Sequence, residues 1–209
     1  MTSDSLSKAR AFKEEVEGKI QKTVQEFAEG KLSREQFQLI YARYTDQLTI
    51  ATMALMSGET GKIDDVKSDG SSTIAIKSSA QGKAVGLMIY YNKTGTILET
   101  LGDVSVPIGV IGPILNDFSM LMEDNQKVER QVKKIQDREW LLLSAGKYTT
   151  IVTQFRNEPA LIQIQYLEKL HSDFEKANRA LFETDRVSAE SLAYPFMVFI
   201  EKKRIQRGS

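Results

Sequence analysis

The chain has 209 residues, 41% of them apolar and 27% charged, which excludes the disordered and fibrous classes and allows one well-buried core with an appendage. Its 28 basic residues balance 28 acidic ones, so no overall field recruits polyanions, and nucleic acid is not an expected partner. Cysteine is absent, which removes disulfides, thiolate nucleophiles and thiolate metal sites together and points to the cytoplasm.

Residues Ser5 to Glu29 carry Ala9, Phe12, Val16, Ile20, Val24 and Phe27 at spacings of three and four, which predicts an amphipathic helix stopped by Gly30. Ser33 with Gln36 reads as a capping box, because the hydroxyl can accept from the backbone three residues on while the amide reaches back. The helix it opens has Phe37, Tyr41, Tyr44, Leu48, Ala51 and Leu55 on one face and ends at Gly58. Residues 1–58 are therefore expected to form a helical hairpin. Two helices bury a single seam, so the hairpin either packs on the rest of the chain or pairs with a second copy.

Residues 59–72, rich in Gly, Ser, Asp and Lys, have the composition of a linker. Thr73 to Lys77 alternates around Ile74 and Ile76 and predicts a strand. Ala84 to Tyr91 and Thr96 to Leu101 predict two more, joined by turn chemistry at Asn92, Lys93, Thr94 and Gly95. Pro107 and Pro113 each disfavour helical angles in the residue before them, so residues 104–112 are expected to be irregular, with the helix proper starting near Pro113. Its stripe runs Ile114, Leu115, Phe118, Leu121, Met122, Val128, Val132 and Ile135.

Trp140 to Ser144 and Tyr148 to Phe155 predict a second hairpin turning at Gly146. Asn157 suits an N-cap and Pro159 a first turn, and Leu161, Ile164, Leu167, Leu170, Phe174, Ala177 and Leu181 repeat at helical spacing. The expected fold is α+β: an N-terminal helical hairpin, then over residues 73–186 a five-stranded antiparallel sheet with two covering helices in the order βββαββα. The C-terminal segment 187–209 is broken at Pro195 and predicts a short strand or helical turn.

Candidate chemistry is sparse. The single histidine, His171, falls at the edge of an apolar helix face, where a structural role outweighs a general base or metal ligand that lacks converging partners. Glu14 with Glu15, Asp64 with Asp65, and Glu123 with Asp124 are adjacent, and neighbouring helical residues point to different faces, so solvated surface is expected there. No metal site and no catalytic residue is assigned.

Gly102, Gly109 and Gly112 invite a phosphate-loop reading, but their spacing matches neither the Walker nor the dinucleotide pattern, and loop geometry is the expectation. A ligand pocket, if the fold has one, is sought at Pro107 to Pro113. Trp140, Tyr148, Phe155 and Tyr90 are expected to pack in the core in preference to forming an exposed aromatic surface.

No window approaches the roughly 20 apolar residues of a spanning helix, and Met1 to Arg10 lacks the apolar core of a secretory signal. Phe196 to Ile200 is expected to fill a gap in the core. Peripheral membrane contact through Phe196 to Arg207, where apolar and basic residues abut, is the lesser alternative.

The order of elements from Thr73 to Phe182 resembles the roadblock, longin and profilin-like scaffolds. The words that carry it are Val85-Gly-Leu-Met-Ile-Tyr-Tyr-Asn-Lys-Thr-Gly-Thr-Ile-Leu-Glu: an apolar strand, a turn with Gly, and a second strand. Roadblock domains open with a helix directly before such a hairpin. The extended reading of residues 73–83 is nearer the longin order.

The resemblance implies dimers and contact with a small GTPase or another signalling partner, with no chemistry and no cofactor. The expected function is accordingly a non-catalytic protein-interaction or regulatory scaffold, dimeric and cytoplasmic. A small-molecule sensor of the PAS or GAF type is the alternative.

Overall fold

A computed structural model describes residues 3–58, 61, 72–123, 130–184 and 187–196. The chain divides into two compact units, Met1–Gln81 and Gly82–Ser209.

The first unit is built on the helical hairpin. Helix α1 spans Ser3–Ala28 and α2 spans Arg34–Ser57. The Ser33 hydroxyl accepts from the Gln36 N–H at 3.2 Å, and Gln36 Oε1 accepts from the Ser33 N–H at 3.0 Å, so the capping box forms in both directions. Gly58, at φ +78°, terminates α2 in the left-handed conformation that glycine adopts without strain.

The seam between the helices buries Ala9, Phe12, Val16, Ile40, Tyr44, Ala51 and Ala54. It passes through Gln36, Ile40 and Tyr44 at a spacing of four, one position away from Phe37 and Tyr41. Hence Val24, Phe27 and Tyr41, expected in the seam, lie outside it at 46%, 39% and 40% exposure.

Thr73–Ser79 is a helix, α3, where alternation predicts a strand. Local and tertiary hydrogen bonds outweigh a five-residue pattern: the Ser72 hydroxyl caps the Ala75 N–H at 3.2 Å, and Gln36 Nε2 donates to the Lys77 carbonyl at 2.7 Å. Tyr44 Oη shares a 2.7 Å hydrogen bond with Thr73 Oγ1, and Ile76 packs on the hairpin core. The expected linker, 59–72, lies outside the described residues apart from Gly61 and Ser72.

The second unit holds the five-stranded antiparallel sheet. Its strands are β1 (Lys83–Tyr91), β2 (Thr96–Gly102), β3 (Arg130–Gln136), β4 (Glu139–Ala145) and β5 (Thr149–Arg156), in spatial order β2-β1-β5-β4-β3. Registers such as Ile89 opposite Ile151 and Leu142 opposite Thr153 place β5 at the centre.

Helix α4 (Ile108–Glu123) follows β2. Helices α5 (Leu161–Ala177) and α6 (Arg179–Phe182) follow β5, and a short 3₁₀ turn forms at Ala189–Ser191. Both sheet faces are covered. Met88, Tyr90, Leu141, Leu143 and Val152 pack with Ile111, Ile114 and Phe118 of α4. Leu87, Ile89, Trp140, Leu142, Ile151 and Phe155 face α5 and α6.

The α+β class and the count of five strands hold, while their membership and order change to ββαβββα. Val132 and Ile135, expected at the end of the long helix, belong to β3, which antiparallel pairing with β4 stabilises across a tight turn. The helix itself begins at Ile108, with Pro113 inside it. Gly112 has no Cβ to meet the proline ring, and Gly109, whose carbonyl loses its N–H partner four residues before the proline, is itself exposed.

Asn157 is not a helix cap. It takes φ +66° and accepts from Arg138 Nε at 2.9 Å, while α5 starts beyond Pro159 with Gln163 Oε1 accepting from the Ala160 N–H. Phe196 is 1% exposed against Phe174, as its gap-filling role requires. Met197 to Arg207, the rest of the expected membrane-contact segment, lie outside the described residues. Among the described residues no helix is long and apolar enough to cross a membrane.

Candidate functional site

His171 lies on the buried face of α5, only 3% exposed, instead of at the edge of an apolar face. Its Nε2 is 2.8 Å from Thr149 Oγ1 and its Nδ1 is 3.4 Å from Ser144 Oγ. Thr149 Oγ1 also donates to Glu175 Oε1 at 2.9 Å. A hydroxyl has one proton, so Thr149 must accept from His171, which assigns the imidazole proton to Nε2 and leaves Nδ1 as the acceptor toward Ser144. Burial pushes the imidazole below its ordinary 6.5, against the opposing pull of Glu175.

Ser144, His171 and Glu175 thus line up as hydroxyl, imidazole and carboxylate, one turn of α5 supplying the last two. The arrangement differs from an activated nucleophile in three respects. Ser144 is 6% exposed, its contact to the ring is long, and Glu175 is saturated by other donors. The Glu175 carboxylate accepts from the backbone N–H groups of Lys147, Tyr148 and Thr149 at 2.9, 2.8 and 2.8 Å. It therefore closes the β4–β5 turn. An added Cβ at Gly146 would stand 2.3 Å from Glu175 Oε1, so the turn needs glycine there for space.

That turn borders a cleft of about 430 Å³, lined by Tyr91, Asn92, Lys93, Lys147, Tyr148, Phe182, Glu183 and Thr184. Phe182 stacks on Tyr91 at 6.1 Å and on Tyr148 at 5.3 Å, forming its apolar wall. Lys147 Nζ stands 4.8 Å from the Tyr148 ring centroid. Asn92 ties the two turns together: its backbone N–H donates to the Tyr148 carbonyl at 2.9 Å, and its Nδ2 donates to the Gly146 carbonyl at 3.1 Å. These residues carry no sequence motif. Contact between two turns 54 positions apart gathers them, and the one local signal was the turn chemistry at Asn92.

The first unit offers a different surface. Phe27 stacks on Phe37 at 4.5 Å and Phe37 lies 5.3 Å from Tyr41, so three rings form an unbroken strip along the outside of the hairpin. Phe27 and Tyr41 remain well exposed.

The other residues singled out from the sequence do not converge. Gly102 ends β2 at φ +77°, where an added Cβ would meet the Val85 carbonyl at 2.6 Å, while Gly109 and Gly112 are exposed on α4 with open space around them. Residues 107–113 line neither this cleft nor a smaller one bounded by Glu26, Gln36 and Lys77. Tyr90 faces α4 whereas Trp140 and Phe155 face α5, so the strand aromatics are divided between two cores. Glu14 and Glu15 are exposed, and Asp64, Asp65 and Asp124 lie outside the described residues. Among the described residues no three His, Asp or Glu side chains gather as a metal ion would require. No protein-family model matches the chain, and no curated protein matches it.

Proposed function

We propose that the chain is a non-catalytic interaction or regulatory scaffold that works in the cytoplasm as a homodimer and engages a second signalling protein. The small GTPase is the partner class that the roadblock and longin resemblance implies. The observation that carries the reading is the Phe27–Phe37–Tyr41 strip. Aromatic rings in mutual contact, of which Phe27 and Tyr41 stay open to water on either side of a half-buried Phe37, are the composition of an interface core. A two-fold pairing of hairpins brings the strip of one copy onto that of another, which buries the rings without requiring a second kind of surface.

Light scattering on the eluting full-length chain tests this. The wild type is expected at twice the 23.5 kDa chain mass, and the Phe27→Ser/Tyr41→Ser variant at the single-chain mass with an unchanged helical signal. A wild type that stays at the single-chain mass at high micromolar concentration would overturn the dimer. A variant that keeps the doubled mass would remove the strip from it.

A further inference from the structure

We propose that two copies of the chain pair α2 against α2, parallel and in register, along the row Tyr41, Thr45, Leu48, Thr52 and Leu55. The inference rests on the dimer proposed above and deepens it: the aromatic strip is one end of an interface that runs the length of the helix.

The row has the spacing of a second seam. Its members recur at four, three, four and three residues, the alternation that keeps one side of a helix against a partner helix. The seam with α1 passes through Gln36, Ile40, Ala51 and Ala54, so α2 has one stripe for its own hairpin and another beside it. Tyr41 and Thr45 are exposed, while Leu48, Thr52 and Leu55 are half-buried. Phe37 adjoins Tyr41 at one end of the row, and Met56, 85% exposed, adjoins Leu55 at the other.

The polar groups of the row make no demand on a partner. Thr45 Oγ1 donates to the Tyr41 carbonyl at 2.9 Å, and Thr52 Oγ1 donates to the Leu48 carbonyl at 2.8 Å. Each hydroxyl is satisfied within its own helix, so burying it strands no donor. Between Phe37 and Met56 the charged residues are Arg43 and Asp46, and the pitch of the helix places both off the row.

These features select a second copy as the occupant. An uncharged row meets its own image across a two-fold axis without like-charge repulsion. The residue types set the direction. With Tyr41, Leu48 and Leu55 at the d positions of a heptad, the a positions between them are Thr45 and Thr52. Branching at the β carbon at a, with leucine at d, favours two parallel strands, and threonine shares that branch with valine. In register, leucine meets leucine and Tyr41 meets Tyr41, which lays each aromatic strip on its counterpart. The row is short, about two heptads, but α2 is already ordered by its cap and by α1. Pairing therefore does not bear the cost of forming the helix.

The chain has no cysteine, so single-cysteine variants report position cleanly. Full-length Thr45→Cys, Thr52→Cys and Asp46→Cys are treated with a short bis-maleimide, with light scattering and melting temperatures recorded for each beside the wild type. Thr45→Cys and Thr52→Cys are expected to reach the doubled mass about tenfold faster than Asp46→Cys, which lies off the row. Asp46→Cys linking as fast as the threonine positions would overturn the row. Failure of Thr52→Cys to link, the pattern of antiparallel helices crossing at the strip, would overturn the parallel register. Both results are compatible with a doubled mass in scattering, so they defeat this inference and leave the dimer standing. A wild type at the single-chain mass would defeat the dimer and this inference together, leaving the row to a helix of another protein.

Discussion

Glu175, in the last turns of α5, accepts a 2.8 Å hydrogen bond from the backbone N–H of Tyr148, across 27 residues of sequence. The same carboxylate takes the N–H groups on either side and the Thr149 hydroxyl, so one side chain at 12% exposure holds a whole β-turn onto the helix that covers the sheet.

Glu175→Ala removes four charge-assisted hydrogen bonds and is expected to lower stability by about 2–4 kcal/mol, read by chemical denaturation. Backbone groups of an exposed turn recover partly by hydration, which keeps the loss below the sum of four bonds. A loss under about 0.5 kcal/mol, the scale of ordinary surface substitutions, would show that the turn stands without its clamp.

Gly146→Ala forces a methyl group into the space of the Glu175 carboxylate and is expected to cost about 1–3 kcal/mol. In the Glu175→Ala background the obstruction is gone, so the same substitution is expected to be close to neutral. The double-mutant cycle reads the difference, and additive effects would contradict the contact.

His171 gives the fold a pH dependence of definite sign. Its folded-state pKa lies below the ordinary 6.5, with burial as the main cause, so the unfolded chain binds the proton more tightly. The contribution to stability is whole above about pH 6.5 and falls as the pH drops below it, levelling off only beneath the folded-state pKa. Melting temperatures between pH 7.5 and 5 are expected to decline less steeply in His171→Gln than in the wild type. Ser144 and Thr149 on the strands, and Glu175 on the same helix, are the polar groups that meet the ring. Parallel profiles for the two proteins would assign the slope to the carboxylates instead.

Gln36 works at two levels, completing the cap of α2 and donating to the Lys77 carbonyl from a position 4% exposed. Gln36→Ala is expected to destabilise the first unit by about 1–2 kcal/mol. Amide exchange at residues 75–79 should accelerate with it. Unchanged exchange there would mean that α3 is held by packing alone.

Pro113 interrupts the hydrogen-bond ladder of α4 on its exposed side. Pro113→Ala is expected to raise the melting temperature, since an interior proline costs a helix up to about 3 kcal/mol relative to alanine. A fall would indicate that the ring is needed where it stands.

The α+β class, the helical hairpin with its cap at Ser33 and Gln36, the strands at 84–91, 96–101, 140–144 and 148–155, and the last long helix could all be read from spacing and turn residues. Each is a local pattern repeated over enough residues to stand against its surroundings. Where the pattern was short or ambiguous, distant partners decided. Residues 73–79 became helical through Gln36 and Tyr44, Val132 and Ile135 became strand through pairing with β4, and Pro113 stayed within a helix because Gly109, whose carbonyl it leaves without a donor, is exposed.

The candidate sites lay further out of reach. The aromatic strip depends on which of two neighbouring stripes each helix turns into the seam, a matter of one residue in register. The cleft and the Glu175 clamp join side chains that the sheet brings together from far along the chain. Periodicity reports which residues one element buries, because its repeat is set by the backbone. Which buried and exposed groups meet is set by packing between elements, and only the folded chain contains that information.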